Sequence, residues 1–315
     1  MSSAGPRHVL LMAHGAAESI SEIPDYYTHV RGTPPPPALL SELTERYRSI
    51  GGSSPLRAIT GRVAAQLQTE LDRRWGNDRL RVRFGFKHTP PFIEEVVASI
   101  VGDGATDILA LALAPHYSRF ALEGYRHPIV TALEEVPTPP PFRLVPSWHL
   151  EPAFVRLWSD RLRAALDRLP PSFRSEAMVY FTAHSLPESM IRGGDPYPVQ
   201  LTEGAMAIAE SAGLSEGAWS LAWQSAGRTR DLWLGPDLRE VLRQDSARGR
   251  RAAVVVPHGF VCDHLEILYD LDIEARGVAD ALGLRFERIP MPNDDPRFAS
   301  MLADVVDRWN GSSDP

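Results

Sequence analysis

The chain contains a single cysteine, Cys262. One thiol can make neither an internal disulfide nor a four-cysteine metal site, and it excludes a cysteine-held iron–sulfur cluster. The chain therefore suits a reducing compartment, and a cytoplasmic location is expected. Long apolar runs are also lacking. No segment approaches the roughly 20 apolar residues of a membrane span. The run HVLLMAHG that follows MSSAGPR is too short for a signal-peptide core. Neither G-x-G-x-x-G, a P-loop nor H-E-x-x-H occurs, so dinucleotide, nucleotide and zincin chemistries lack their usual marks. Basic residues are outnumbered, 33 against 40 acidic, for a net charge of -7. That balance argues against a nucleic-acid backbone as partner, while local arginines can still hold a small anion.

Hydrophobic residues make up 43% and charged residues 23% of the 315 positions. These are globular values, and the length suits two domains of roughly 150 residues each. Short apolar runs alternate with longer amphipathic stretches. The runs are Val9–Ala13, Leu80–Phe86, Ile108–Ala114, Arg143–Val145, Met178–Ala183, Trp219–Trp223, Ala252–Val256 and Leu284–Ile289. Most are continuously apolar, the pattern of strands covered on both faces of a parallel sheet. Helical patterns lie between them at Pro55–Trp75, Pro91–Val101, Glu151–Leu169, Val199–Ala212 and Pro236–Arg243, with Pro55, Pro91 and Pro236 at first-turn positions. The rhythm predicts an α/β protein. A weak internal repeat splits it: Ala13-His14 and Ala183-His184 open two halves, and Pro115-His116 and Pro257-His258 close them. We therefore expect two Rossmann-like domains, residues 1–145 and 146–293, each with a four-stranded parallel sheet flanked by helices. A terminal helix within 294–315 is expected to pack back on the first. The run Pro34–Pro37 should be stiff and unable to join a helix interior. Ser54, after Gly51-Gly52-Ser53, should cap the next helix, with loop N–H groups there able to hold an anion.

Five histidines, His14, His88, His116, His184 and His258, follow apolar runs. In open α/β sheets the ligand site lies beyond the carboxyl ends of the strands. Singly each imidazole is best read as a strand cap. Together they suggest a metal or proton-transfer site, because imidazole binds borderline metals and titrates near neutrality. Downstream of His258, Glu266, Asp270 and Glu274 are spaced i, i+4, i+8, which on a regular helix makes one acidic stripe. A solvated helix face is the ordinary explanation of such a stripe. Its place just after a strand end favours a path for a divalent cation or protons.

The stretches FTAHSLPES…GDPYPVQL (181–201), WQSAGRTRDLWLGPDL (223–238) and PHGFVCDHLEILYDLDIEA (257–275) resemble blocks of the ferrochelatase family. So do YYTHVRG (26–32), ERYRSIGGSSPL (45–56) and FKHTPPFIEE (86–95), and the resemblance runs from about residue 8 to residue 310. It looks closest to the soluble monoderm-type enzymes that use coproporphyrin III. The resemblance implies two Rossmann-like domains around a porphyrin cleft, with ferrous iron and porphyrin as substrates and no resident cofactor. It implies His184 as catalytic base and metal ligand, Glu266 as its partner carboxylate, and Asp270 and Glu274 as the rest of an acidic ridge able to take a second divalent cation such as magnesium. It implies Arg31, Arg46, Tyr47, Ser54, Lys87, His88 and Tyr125 at porphyrin-holding positions. His14 stands where the monoderm-type enzymes usually carry a tyrosine that ligates the product iron, a role imidazole can fill. Arg31 is followed by Gly32 and Thr33 instead of a second arginine, and His258 replaces a small apolar residue.

The expected reaction is insertion of Fe(II) into coproporphyrin III in haem biosynthesis by a monomeric enzyme that meets its pathway partner transiently. Alternatives are insertion into protoporphyrin IX, a cobalt or nickel chelatase acting on another tetrapyrrole, and a non-catalytic haem or porphyrin carrier.

Overall fold

A computed structural model describes residues 5–77, 79–227 and 229–311. The outermost parts of the expected domains, 1–4 and 312–315, and Arg228 within the 223–238 motif lie outside the described residues. The chain divides into two compact units. The first comprises the chain up to Ala114, Arg119–Trp148 and the segment from Asn293 onward; the second comprises Pro115–Ser118 and His149–Pro292.

Each unit holds one four-stranded, all-parallel sheet. In the first, β1 (Arg7–Ala13), β2 (Leu80–Phe86), β3 (Asp107–Ala112) and β4 (Phe142–Leu144) are arranged in the order β2-β1-β3-β4. The second repeats that order with β5 (Ala177–His184), β6 (Trp219–Gln224), β7 (Ala252–Val256) and β8 (Arg285–Arg288), arranged β6-β5-β7-β8. The two α/β halves suggested by the internal repeat are thus the same fold written twice. The central strands are buried almost throughout, as expected when helices cover both faces. Parallel register sets Ala13 beside Phe86, and Phe181 beside Val256, so the carboxyl ends of neighbouring strands reach one edge of each sheet.

The proline positions differ in detail from the sequence reading. Pro55 is the N-cap of the Leu56–Trp75 helix, whereas Pro91 and Pro236 follow cis peptide bonds two residues ahead of the helices at Ile93 and Leu238. Pro37 does enter a helix, Pro37–Ser49, but at its first position, where a missing N–H is harmless. The Gly51–Ser54 loop is not an open anion cradle. Its Gly51, Gly52 and Ser54 N–H groups donate to the carbonyls of Arg48, Tyr47 and Ala17. Ser54 Oγ accepts only a long bond, 3.4 Å, from Leu56 N.

The terminal helix, Pro296–Gly311, packs on Leu56–Trp75 within the first unit. Arg74 joins the two. Its guanidinium, 18% exposed, meets Glu70 at 2.8 Å and Asp304 and Asp307 at 2.7 Å, and donates to the Ser300 carbonyl at 3.1 Å. Burial works against the charge, but these acceptors outweigh it and raise the Arg74 pKa. Removing a cation so nearly enclosed by carboxylates leaves them repelling one another. Arg74→Ala should destabilise the protein by about 2 kcal/mol, between the values for exposed pairs and for a fully buried pair. A urea unfolding midpoint equal to that of the unmodified chain would contradict this.

Candidate active site

Pairing between β1 and β2 continues past both strands. Lys87 N–H donates to the Ala13 carbonyl and His88 N–H to the His14 carbonyl, each at 3.0 Å. This extension carries His14, Lys87 and His88 to the carboxyl edge of the first sheet. Gly15 then turns the chain at φ +91°, where a Cβ would stand 2.6 Å from Thr89 Oγ1. His14 Nδ1–H donates to the Gly15 carbonyl at 3.2 Å, and its ring centroid lies 4.5 Å from that of His88. Burial, reinforced by His14, Lys87 and His29, lowers the His88 pKa to about 2, so the ring stays neutral. Burial also lowers the Lys87 pKa; its ammonium lies 5.7 Å from the Phe120 ring centroid.

The other porphyrin-holding candidates of the first unit separate into two groups. Arg31 is exposed, 5.6 Å from the Tyr27 ring, and Arg46 pairs with Glu42 at 3.2 Å. Tyr47, Ser54 and Tyr125 are buried instead. The Tyr47 hydroxyl accepts from Ala17 N at 3.1 Å and so holds a loop, while Tyr125 sits in the apolar core with Ile129 and Leu133. In this arrangement all three are held within the packing of the first unit.

In the second unit His184 ends β5, opposite Gln224 of β6. Its Nδ1–H donates to the Ser185 carbonyl, which leaves the lone pair on Nε2. That Nε2 lies 3.6 Å from Glu266 Oε1, with both side chains about one-third exposed. Glu266 belongs to the short helix Leu265–Leu268, and Gln224 Nε2 donates to its backbone carbonyl at 3.0 Å. Thr182 Oγ1 in turn donates to Gln224 Oε1 at 2.9 Å, locking that amide. The second carboxylate oxygen, Oε2, lies 3.6 Å from His264 Nε2, and His264 Nδ1–H donates to the Cys262 carbonyl at 2.9 Å. Burial disfavours charge on His264, yet Glu266 outweighs it and raises the pKa. Glu266 therefore stands between two imidazoles. Sequence reasoning missed His264 and Gln224, although both lie inside motifs that it quoted.

The acidic stripe is not a single solvated face. A π-helical segment, Asp270–Ala275, interrupts the helix and changes the register of its side chains. Each carboxylate has its own partner. Ser225 Oγ donates to buried Asp270, and Arg239 meets Glu274 at 3.0 Å. The structure brings His184 and Glu266 together and leaves Asp270 and Glu274 outside that pair. Among the described residues, no group of three or more His, Cys, Asp or Glu side chains stands ready to hold a metal.

The sequence profile described as Ferrochelatase matches residues 7–309. The chain belongs to the ferrochelatase family. It is 43% identical over 299 residues to a ferrochelatase of Herpetosiphon aurantiacus, covering 95% of this chain and 97% of that one. It is 42% identical to the coproporphyrin III ferrochelatase of Bacillus subtilis, covering 95% and 96%. Among solved structures, SirB from Bacillus subtilis matches with a TM-score of 0.59 at 13% identity, covering 98% of this chain and 97% of that one, which shows a shared fold. Among the described residues, no helix is long and apolar enough to cross a membrane.

His116 and His258 do not join the pair at His184. Both are buried in the second unit with His149, beneath the Tyr197–Ala212 helix. Ring centroids of His116 lie 5.2 Å from those of His149 and of His258. The three crowd Gly204, where a Cβ would approach His116 Nε2 to 3.2 Å. His258 Nε2–H donates to the Leu201 carbonyl at 3.0 Å and His149 Nε2–H to Glu203 at 3.2 Å. Burial lowers the His258 pKa to about 4 and lowers those of His116 and His149, with Glu203 opposing the last; the Tyr197 ring edge also faces His116. An unfolded imidazole titrates near 6.5. Folding keeps these rings neutral, so their contribution to stability is present above pH 6.5 and is lost as pH falls toward 4. Urea midpoints should decline across that window, at up to about 1.4 kcal/mol per pH unit for each such ring. His258→Leu should flatten the decline, and an unchanged slope in that variant would refute this account.

Proposed function

We propose that this chain inserts ferrous iron into coproporphyrin III in haem biosynthesis. The approach of His184 to Glu266 at 3.6 Å carries the reading. A free-base porphyrin must lose two pyrrole protons as iron enters. The lone pair on His184 Nε2 can accept them one after the other, passing each to water, and the imidazolium formed each time gains a charge-assisted interaction with Glu266. His264 Nε2 stands 3.6 Å from the other carboxylate oxygen and adds a second favourable imidazole beside it. Imidazole with carboxylate also suits ferrous iron. One nitrogen cannot hold a proton and a metal at once, so proton uptake and metal binding at His184 are successive.

The choice of porphyrin rests on relatives. The enzymes of Bacillus subtilis and Geobacillus thermodenitrificans, 42% and 41% identical over 95% of this chain, are both coproporphyrin III ferrochelatases. Coproporphyrin carries propionates where protoporphyrin IX carries vinyl groups. Arg31, Arg46 and Lys87 are cations suited to propionates, the arginines through bidentate contacts. The lone Cys262 thiol, buried and pushed up to about 12, suits a reducing cytosol, where we place the reaction.

With Fe(II) supplied under anaerobic conditions, the protein should turn over coproporphyrin III many times, with kcat/KM about ten-fold or more above that for protoporphyrin IX. Stoichiometric binding without turnover would instead favour a carrier. His184→Ala should lower kcat by about 10²- to 10⁴-fold, the contribution of a positioned base, with an unchanged circular dichroism spectrum. Near-normal turnover in that variant would remove His184 from the mechanism.

A further inference from the structure

Glu266 is carried by backbone with little stability of its own. The Leu265–Leu268 helix is a single turn, and its N-cap, His264, makes no side-chain capping bond. A first turn fixes several dihedrals for one hydrogen bond, so such a turn persists only when it is held from outside. The π-helical segment Asp270–Ala275 follows, where the Tyr269 carbonyl accepts both the Ile273 N–H at 3.1 Å and the Glu274 N–H at 2.9 Å. Arg288 holds this stretch at two points. It is the last residue of β8, beside Val255 of β7, and its side chain is only 12% exposed. Nε and Nη2 donate to the two oxygens of Asp272 at 3.0 and 2.6 Å, a bidentate fork. Nη1 lies 3.3 Å from Oδ1 of Asp263, the residue before His264. Burial opposes the charge, but Asp272 and then Asp263 outweigh it and raise the Arg288 pKa.

We propose that Arg288 is a positioning residue for iron insertion: by tying Asp263 and Asp272 to the edge strand of the second sheet, it keeps Glu266 facing His184. The proposal rests on the reading of His184 and Glu266 as the reacting pair and adds a residue that acts through others. Glu266 lies between the two anchored aspartates in the chain. The place of its carboxylate is thus set from β8 as well as from its own helical turn. Gln224 holds the Glu266 backbone from β6, so the turn is gripped from two strands of one sheet. The task needs a guanidinium. Its planar fork meets Asp272 with two N–H groups while a third nitrogen faces Asp263, whereas an ammonium is a point charge without that geometry. One cation between two carboxylates also offsets the repulsion that would drive the ends of the stretch apart.

The test uses the full chain and two readouts. In hydrogen exchange followed by mass spectrometry, Arg288→Gln should speed exchange across residues 264–274 about ten-fold or more, while peptides of the first unit keep their rates. In single turnovers with Fe(II) and coproporphyrin III, the same substitution should slow insertion about ten-fold or more, the usual effect of loosening a residue that orients a reacting group. Apparent porphyrin affinity should stay within about two-fold. Asp272→Asn should reproduce most of the loss, and Arg288→Lys should recover only part of it. The deciding comparison is made in Glu266→Gln, where adding Arg288→Gln should slow insertion less than about two-fold further, because the group it positions is already gone. A loss that multiplies in full in that background overturns the proposal, as does unchanged exchange across residues 264–274. Should Arg288→Gln not fold, Arg288→Lys is taken through the same cycle. Failure of the unmodified protein to turn over porphyrin would strike the reaction itself, whereas the exchange result stands apart from it.

Discussion

In each unit the central strand is hydrogen-bonded along both edges, β1 to β2 and β3, and β5 to β6 and β7. This double parallel pairing fixes where chemistry can stand. Parallel strands deliver their carboxyl ends to one edge, and the order of each sheet makes the central strand the point from which the chain winds both ways. His14 and His184 occupy that point in their respective units. Their surroundings then diverge: His14 meets other imidazoles, whereas His184 meets a carboxylate. One scaffold thus presents two different polar surroundings at equivalent positions.

The second unit shows how a weak contact is made definite by its supports. At 3.6 Å the His184–Glu266 approach is longer than a hydrogen bond. It is nevertheless fixed at both ends. Ser185 sets the imidazole tautomer, and Gln224, itself held by Thr182, anchors the backbone of Glu266. His264 takes the remaining oxygen. In the proposed reaction a proton or ferrous iron would enter this gap, between partners already oriented.

Much of the fold was legible because burial on both faces writes itself as continuous apolar runs, as in β1, β3, β5 and β7, and all eight strands overlap the runs read from the sequence, although β2, β4 and β8 are interrupted by charged residues. Three helices were harder to see. Ile23–Arg31 is short and polar, Pro37–Ser49 starts inside a proline run, and Arg119–Glu134 contains Pro128. The site was half legible. His184 and Glu266 sit in long motifs, but a strand-end histidine reads the same whether it faces solvent or core. Nothing in the local sequence says that the Tyr197–Ala212 helix covers His116 and His258. The π-helical turn was equally hidden, since i, i+4 spacing of carboxylates is compatible with either helix type. Tyr47 and Tyr125 were placed at porphyrin-holding positions by resemblance, and nothing in their local sequence says that both are buried.

The helix above the three core histidines passes over them at Gly204, the residue that gives the rings their space. An alanine there would press its methyl group on His116, whereas smaller residues in place of the imidazoles would leave a void under the bare helix backbone. The four positions therefore constrain one another during divergence. A side chain at 204 would require His116 to yield by a few tenths of an ångström, and a smaller residue at position 116 would remove that demand.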